Sequence, residues 1–344
     1  VSLTTLKKNL PRTLDLFGQV MMQPVFREDR VELARKQTIE GLRRQNDDPK
    51  RIVDREFTCA LYEGHLLARV PTIESVTRIT RDDMMAFHKR FYHPNNMILA
   101  VSGDIDREEL LKSLGKVFNG WRREEIVLPA IAPPKTEMKS TVLFAHKDVN
   151  QSVIRLGSLG IEKNNPDLYA IRVMDYILGG GFTSRLTQEV RSNQGLAYQA
   201  ASHFDVGRRF VGTFWVETET KSESTAKVIS LILKIMTGMT KLAVSDQELS
   251  LAKDSIINSF IFGFTKPDAV VNQQVRLEFF GYPPGYLDNY RNNIAKVTKE
   301  DVLLAAQKYL KPDALTIMVV GDEKKFDQPL SMFGTVREIK LEIK

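Results

Sequence analysis

The chain contains part of itself twice. The stretch ITRDDMMAFHKRFYHPNNMILAVSGD, ending at Asp104, and VTKEDVLLAAQKYLKPDALTIMVVGD, ending at Asp322, align without a gap at a constant shift of 218. Thr80 falls on Thr298, Asp83 on Asp301, Phe91 on Tyr309, Pro94 on Pro312, and Gly103-Asp104 on Gly321-Asp322. Each copy predicts a Thr-capped amphipathic helix, a proline-containing break and a buried strand ending in Gly-Asp. The same shift holds upstream, where LARKQTIEGLRRQNDDP falls on LAKDSIINSFIFGFTKP and Arg35, Ile39 and Pro49 meet Lys253, Ile257 and Pro267. Chance can match one helix and one strand; a register kept from Arg35 to Asp104 argues for a duplicated unit.

Between the copies, WRREEIVLPAIAPPKTEMKS (121–140) holds Pro129, Pro133 and Pro134 among charges, which is the chemistry of an extended linker. The chain therefore divides into a first lobe at 1–120, a linker at 121–140 and a second lobe at 141–344. The second lobe opens with two strand-like runs, TVLFAH and QSVIRLGSLGI, followed by a long helix with Asp167 near its start. Thr141 moved back by 218 falls about 77 positions before Val1, so the first lobe is expected to lack the counterpart of Thr141–Tyr198. The start at Val rather than Met agrees with a processed or cut chain.

Composition narrows the class. The length of 344 residues suits two ordinary domains, and 42% apolar with 27% charged residues is globular usage. No run of about 18 apolar residues occurs, so no membrane span is expected, and VSLTTLKKNL lacks the apolar core of a signal peptide. A single cysteine, Cys59, excludes an internal disulfide. The net charge of +6 is spread without blocks of like charge, which disfavours nucleic acid as a partner.

Chemistry concentrates in GGGFTSRLTQEVRSNQGLAY (179–198). Thr183 or Ser184 caps a helix on which Leu186 and Val190 share a face, and Gly195 supplies a left-handed stop. In LAYQAASHF, alternation puts Tyr198, Ala200, Ser202 and Phe204 on one side of a strand. A phosphate cradle needs a strand before its glycines and a Lys-Ser/Thr after them, and neither is present. The remaining readings are a purely structural break or a site in which Arg191 and Tyr198 donate hydrogen bonds to a polarised carbonyl. His65, His88, His93, His146 and His203 never pair at i, i+4, and no His-x-x-Glu-His occurs, so no helix-borne zinc site is complete. Glu40 has Lys36 and Arg43 one turn away, the pattern of a solvated salt-bridging face, yet the repeat puts Asn258 at its slot.

GGGFTSRL, VRSNQGLAY, RRQNDDP, FHKRFYHPNNMILAVSGD and the duplicated lobes resemble the insulinase/pitrilysin-type zinc metallopeptidases, which include the mitochondrial processing peptidase and bacterial zinc proteases. The resemblance covers nearly the whole chain. It implies an α+β fold: a clam of two homologous lobes, each a mainly antiparallel sheet packed with helices, the first lacking its N-terminal part. It implies proteolysis in an enclosed chamber, a Zn cofactor, a peptide substrate, and a homodimer or a heterodimer with a related subunit. Glu40 matches the family's metal-binding Glu, and Arg191 and Tyr198 match its Arg-Tyr pair. The two His ligands and the general-base Glu are absent from this chain. Two expectations follow: part of a zinc metalloendopeptidase that is inert alone, or a non-catalytic partner subunit that binds substrate and supplies the Arg-Tyr pair. Compartment stays open between bacterial cytoplasm and periplasm.

Overall fold

The computed structural model describes residues 1–137 and 140–342. Met138 and Lys139 of the expected linker, and Ile343 and Lys344 of the expected second lobe, lie outside the described residues. The first half runs through α1 (Leu10–Met22), α2 (Glu28–Arg43), α3 (Pro49–Leu61), α4 (Ile73–Arg78), α5 (Arg81–Phe91) and α6 (Arg107–Val117). After 121–137, which form no helix or strand, come β1 (Thr141–His146), β2 (Gln151–Leu159), β3 (Ile161–Glu162) and α7 (Leu168–Asp175). Beyond the glycine segment lie β4 (Ala197–Phe204), β5 (Val206–Gly207) and β6 (Thr213–Lys221). The chain continues with α8 (Thr225–Lys241), α9 (Asp246–Phe260), α10 (Pro267–Phe279), α11 (Tyr286–Lys296) and α12 (Lys299–Tyr309), then β7 (Thr316–Gly321) and β8 (Val336–Glu338). Among the described residues, no single helix is long and apolar enough to cross a membrane.

The repeat survives in the elements. α3 and α10 begin and end 218 positions apart, as do α5 and α12, while α2 and α9 share their starts. Thr80 and Thr298 each close a capping box, their hydroxyls accepting from the N–H of Asp83 and Asp301 at 3.1 Å. Both carboxylates accept in return from the threonine N–H, at 2.8 and 2.9 Å.

One expectation fails. The buried strand foreseen at the end of each copy exists only in the second. β7 is buried along its whole length, whereas the matching run 97–104 is not a strand and exposes Ile98, Leu99 and Val101. The reason is backbone pairing, because a strand needs neighbours for its N–H and C=O groups. β7 lies between β2, antiparallel, and β1, parallel, while the described residues of the first half contain no strand to pair with 97–104.

The main sheet runs β4-β6-β2-β7-β1-β8, antiparallel from β4 to β7 and parallel across β7, β1 and β8. It is the mixed sheet of an α+β fold. One face carries Ile154, Leu156, Phe214 and Val216 against the apolar sides of α7, α8 and α12. The other is covered by α3 from the first half, whose Ile52, Val53, Phe57 and Leu61 pack on Leu143, Ala145, Val153, Met318 and Val320. Burial on both faces explains why β7 reads TIMVVG without polar alternation.

Polar groups fix where α3 sits. Arg155 of β2 projects toward the helix and pairs with Asp54 on it, while its Nε donates to Glu217 of β6 at 2.9 Å. The same guanidinium lies 4.9 Å from the Trp215 ring and 5.7 Å from that of Phe57. Asn46, in the turn before α3, receives Lys147 Nζ on its carbonyl at 2.5 Å and donates to the Leu341 carbonyl at 3.2 Å.

Moved by 218, the buried stripe of α3 becomes Val270, Val271, Val275 and Phe279 of α10, apolar at every position. None of them is buried, with Val270 43% and Phe279 54% exposed. Replacing Ile52 by Ala should therefore cost about 2–5 kcal/mol. Val270→Ala should stay within about 0.5 kcal/mol. Urea unfolding of the two variants measures both, and equal losses would mean that α10 is packed as α3 is.

Candidate functional site

The glycine segment folds as two irregular helices laid beside a strand. α7 runs on into a π-helical turn, Tyr176–Gly180, and a second π-helix spans Thr187–Asn193. Gly179 passes so close to β4 that a Cβ there would lie 2.3 Å from the Ser202 nitrogen. Of the two expected caps, Ser184 is the one used, its hydroxyl accepting from the Thr187 N–H at 3.4 Å. Leu186 and Val190 are buried on one face as the sequence predicts. Gly195 takes φ +60°, the left-handed stop, and its N–H donates to the Arg191 carbonyl at 3.1 Å.

That geometry brings Arg191 and Tyr198 together. The Arg191 guanidinium carbon lies 4.9 Å from the centre of the Tyr198 ring and 5.2 Å from that of Phe182. Both flank a cleft of about 300 Å³ whose floor is Gly179–Gly181 and whose wall is Tyr198–Ala201. Among the described residues, Arg191 makes no ion pair; stacking holds it in place and leaves its N–H groups available to a ligand.

The side on which Tyr198 stands is a correction. Alternation placed it with Ala200, Ser202 and Phe204, and those three are buried, but Tyr198 is 83% exposed. The cause is a bulge. Ala197 pairs with Thr220 and Ala200 with Thr218, so β4 spends one residue more than β6 over this interval. The hydroxyls of Thr218 and Thr220 donate to the Gln199 and Leu196 carbonyls at 2.8 and 2.7 Å, supplying bonds at the irregularity. The bulge turns Tyr198 out of the core and into the cleft mouth.

Glu40 stands elsewhere, exposed on α2. Its carboxylate accepts from Arg44 Nε at 2.8 Å and lies 3.7 Å from Arg43, so the salt-bridging face is what forms, with Arg44 rather than Lys36 completing it. Each histidine also has a partner: His65 the Ala132 carbonyl, His88 the Met21 carbonyl, His93 the Lys89 carbonyl, His146 Glu323, and His203 Asp205. The cluster of metal-ligating type found among the described residues is His146, Asp322 and Glu323, which excludes Glu40 and has Lys325 Nζ 3.0 Å from Asp322. A lone carboxylate held by two arginines does not fit a zinc site.

Sequence reasoning missed three contributors. Phe182 gives Arg191 its second ring, and the apolar residue directly after three glycines was the available sign. Asp175 lies under the glycine turn, and the bulge adds one residue to β4; neither has a sequence signature of its own.

The family model described as "Peptidase M16 inactive domain" matches residues 78–256. An uncharacterized zinc protease of Mycobacterium leprae is 27% identical over 310 residues, covering 89% of this chain and 69% of that protein. A protein of Helicobacter pylori named a non-peptidase homolog is 23% identical, covering 94% and 75%. The crystal structure of a peptidase M16 inactive domain from Pseudomonas fluorescens superposes with a TM-score of 0.83 at 27% identity, covering 93% of this chain and 76% of that one.

The helix that carries Arg191 is tied to α9 by a titratable link. Arg185 Nε and Nη2 donate to the two carboxylate oxygens of Glu248, at 2.6 and 3.1 Å, and Glu248 also accepts from the Ser245 N–H. The Arg185 guanidinium, helped by that N–H, pulls the Glu248 carboxyl down to about 2. A depressed folded value means the link is fully present above the ordinary glutamate range and lost as pH falls toward about 2. The melting temperature of Glu248→Gln should lie below wild type at pH 6, and the gap should close between about pH 4.5 and pH 2. A gap unchanged by acid would remove Glu248 as its source.

Proposed function

The chain belongs to the peptidase M16 family, and from that premise we propose that its glycine-lined cleft is the carbonyl-polarising half of a peptidase site. Arg191 and Tyr198 donate to the carbonyl oxygen of a bound peptide. The carrying observation is their meeting at 4.9 Å, produced by a π-helix, a left-handed glycine and a strand bulge that together bring both side chains into the same cleft. A cation and a phenol O–H aimed at one oxygen stabilise the negative charge that develops there during peptide hydrolysis; losing one such donor costs about 2.7–4 kcal/mol of barrier. The substrate class is an unstructured peptide, because the donors must reach main-chain carbonyl oxygen.

The relatives named zinc proteases support zinc chemistry for the assembled peptidase. The donors of this chain do not fit the metal, so no step through zinc is assigned to them, and the water-activating groups must come from polypeptide outside residues 1–344. We infer a homodimer or a heterodimer with a related subunit as the assembly that closes a chamber over the cleft. A second reading, a non-catalytic subunit that binds substrate, draws on the Helicobacter pylori relative named a non-peptidase homolog.

The purified chain should bind a fluorescein-labelled unstructured peptide without cutting it, with or without added zinc. Arg191→Ala should weaken that binding about tenfold, read by fluorescence anisotropy. In an active assembly containing this chain, Tyr198→Phe should lower kcat by about 10²–10³ while changing peptide affinity little. Zinc-dependent cleavage by the purified chain would overturn the division of labour, and unchanged turnover in Tyr198→Phe would favour the non-catalytic reading.

A further inference from the structure

Asp175, the last residue of α7, is a charged side chain that folding takes almost wholly out of water, 5% exposed. Its Oδ1 accepts from the Ser202 hydroxyl at 2.6 Å and its Oδ2 from the Phe204 N–H at 3.1 Å. Burial pushes its carboxyl above the ordinary range, against the pull of those two donors. The charges that bear on it are Arg172 on its own helix and His203 on β4.

Both donors belong to β4, an edge strand of the main sheet. An edge strand has a row of N–H and C=O groups with no neighbouring strand to meet them. At Phe204 that row is closed by side chains: Asp175 takes the N–H, and Arg172 Nη1 donates to the C=O at 3.1 Å. Since the Phe204 N–H points away from β6, the pleat points those of Ser202 and Ala200 the same way. At Ser202 the backbone of Gly179 packs against the row, so closely that a Cβ there would lie 2.3 Å from the Ser202 nitrogen. At Ala200 it reaches the cleft, whose wall includes Ala200 itself.

We propose that Asp175 is the positioning residue of this cleft. Its carboxylate seals the β4 edge at Phe204 and, through Ser202, draws the glycine turn against the strand. The edge then stays open only beside Tyr198–Ala200, where Arg191 stands. This rests on the reading that the cleft receives a peptide carbonyl. The role is one of hydrogen-bond geometry rather than charge, which sets the choice of variants. Asp175→Asn keeps one acceptor for the Phe204 N–H, and its NH2 can donate to Ser202, whose hydroxyl lies 3.2 Å from the Asp175 carbonyl and can donate there instead. Asp175→Leu keeps the volume and offers no acceptor.

The test uses the whole chain with two readouts, the ring-current-shifted Nε–H resonance of Arg191 in NMR and the affinity for the labelled unstructured peptide. Asp175→Asn should keep the Arg191 shift and bind within about threefold of wild type. Asp175→Leu should lose the shift and bind at least about tenfold more weakly. Val228→Ala, a core substitution in α8, should keep both while lowering the melting temperature. If Asp175→Leu does not fold, Ser202→Ala decides, with a weakened shift and several-fold weaker binding expected. A wild-type Arg191 resonance in Asp175→Leu, or in Ser202→Ala where that variant decides, overturns the proposal. If wild type and Arg191→Ala bind peptide equally, the peptide reading fails, while the Arg191 resonance still decides the positioning role.

Discussion

The structure depends on one helix crossing from the first repeat to the sheet of the second. α3 buries Ile52, Val53, Phe57 and Leu61 against β1, β2 and β7, and without it Leu143, Val153 and Met318 would face water. Apolar burial supplies the drive and is indifferent to register. Register comes from Arg155, a guanidinium with a carboxylate from the helix, a carboxylate from the neighbouring strand and two aromatic rings around it. Taking a guanidinium this far out of water is tolerable only when its donors are matched, so the helix can slide along the sheet only by stranding a charge.

The candidate site is built on the far edge of that same sheet, and each of its parts departs from regular structure. The π-helix reaches its hydrogen-bond partners one residue further back than an α-helix, which changes the direction in which Arg191 leaves the backbone. The bulge reverses the face on which Tyr198 stands. Gly179 lets a helical turn approach a strand at a distance no side chain permits. Such irregularities cost stability wherever they occur, and here they fall on one short stretch, while the sheet behind it is regular from β6 to β1. A rigid scaffold with local strain at one edge is the arrangement expected where side chains are held for a task rather than for packing.

Much of this was legible in the sequence. The 218-residue register carried through to the ends of α5 and α12, because capping boxes and helical spacing are local and are of the same type at Thr80 and Thr298; α3 and α10, each opening on a proline of that register, follow it as well. Arg191 and Tyr198 were legible as a pair, since Gly195 between them forces a chain reversal. What failed was non-local. Residues 97–104 are apolar much as β7 is but lack its neighbours, so similar strand chemistry yields a strand in one place and exposed chain in the other. Tyr198 was put on the wrong face because a bulge depends on how β6 pairs, which alternation within β4 does not reveal. Glu40 has the residue type of a ligand, yet it lies between two arginines one turn away.

The two copies also show how duplication separates roles that began alike. α3 and α10 carry the same apolar stripe, and only α3 meets a sheet. The helix bearing Glu40 and the one bearing Asn258 occupy the same slot, and among the described residues Glu40 belongs to no cluster of three metal-ligating side chains. The first half contributes through α3, which keeps water off one face of the sheet on whose edge Arg191 and Tyr198 are displayed. A weakened α3 contact should be felt at the cleft only through that sheet, because the strands from β7 to β4 are paired side by side between the two.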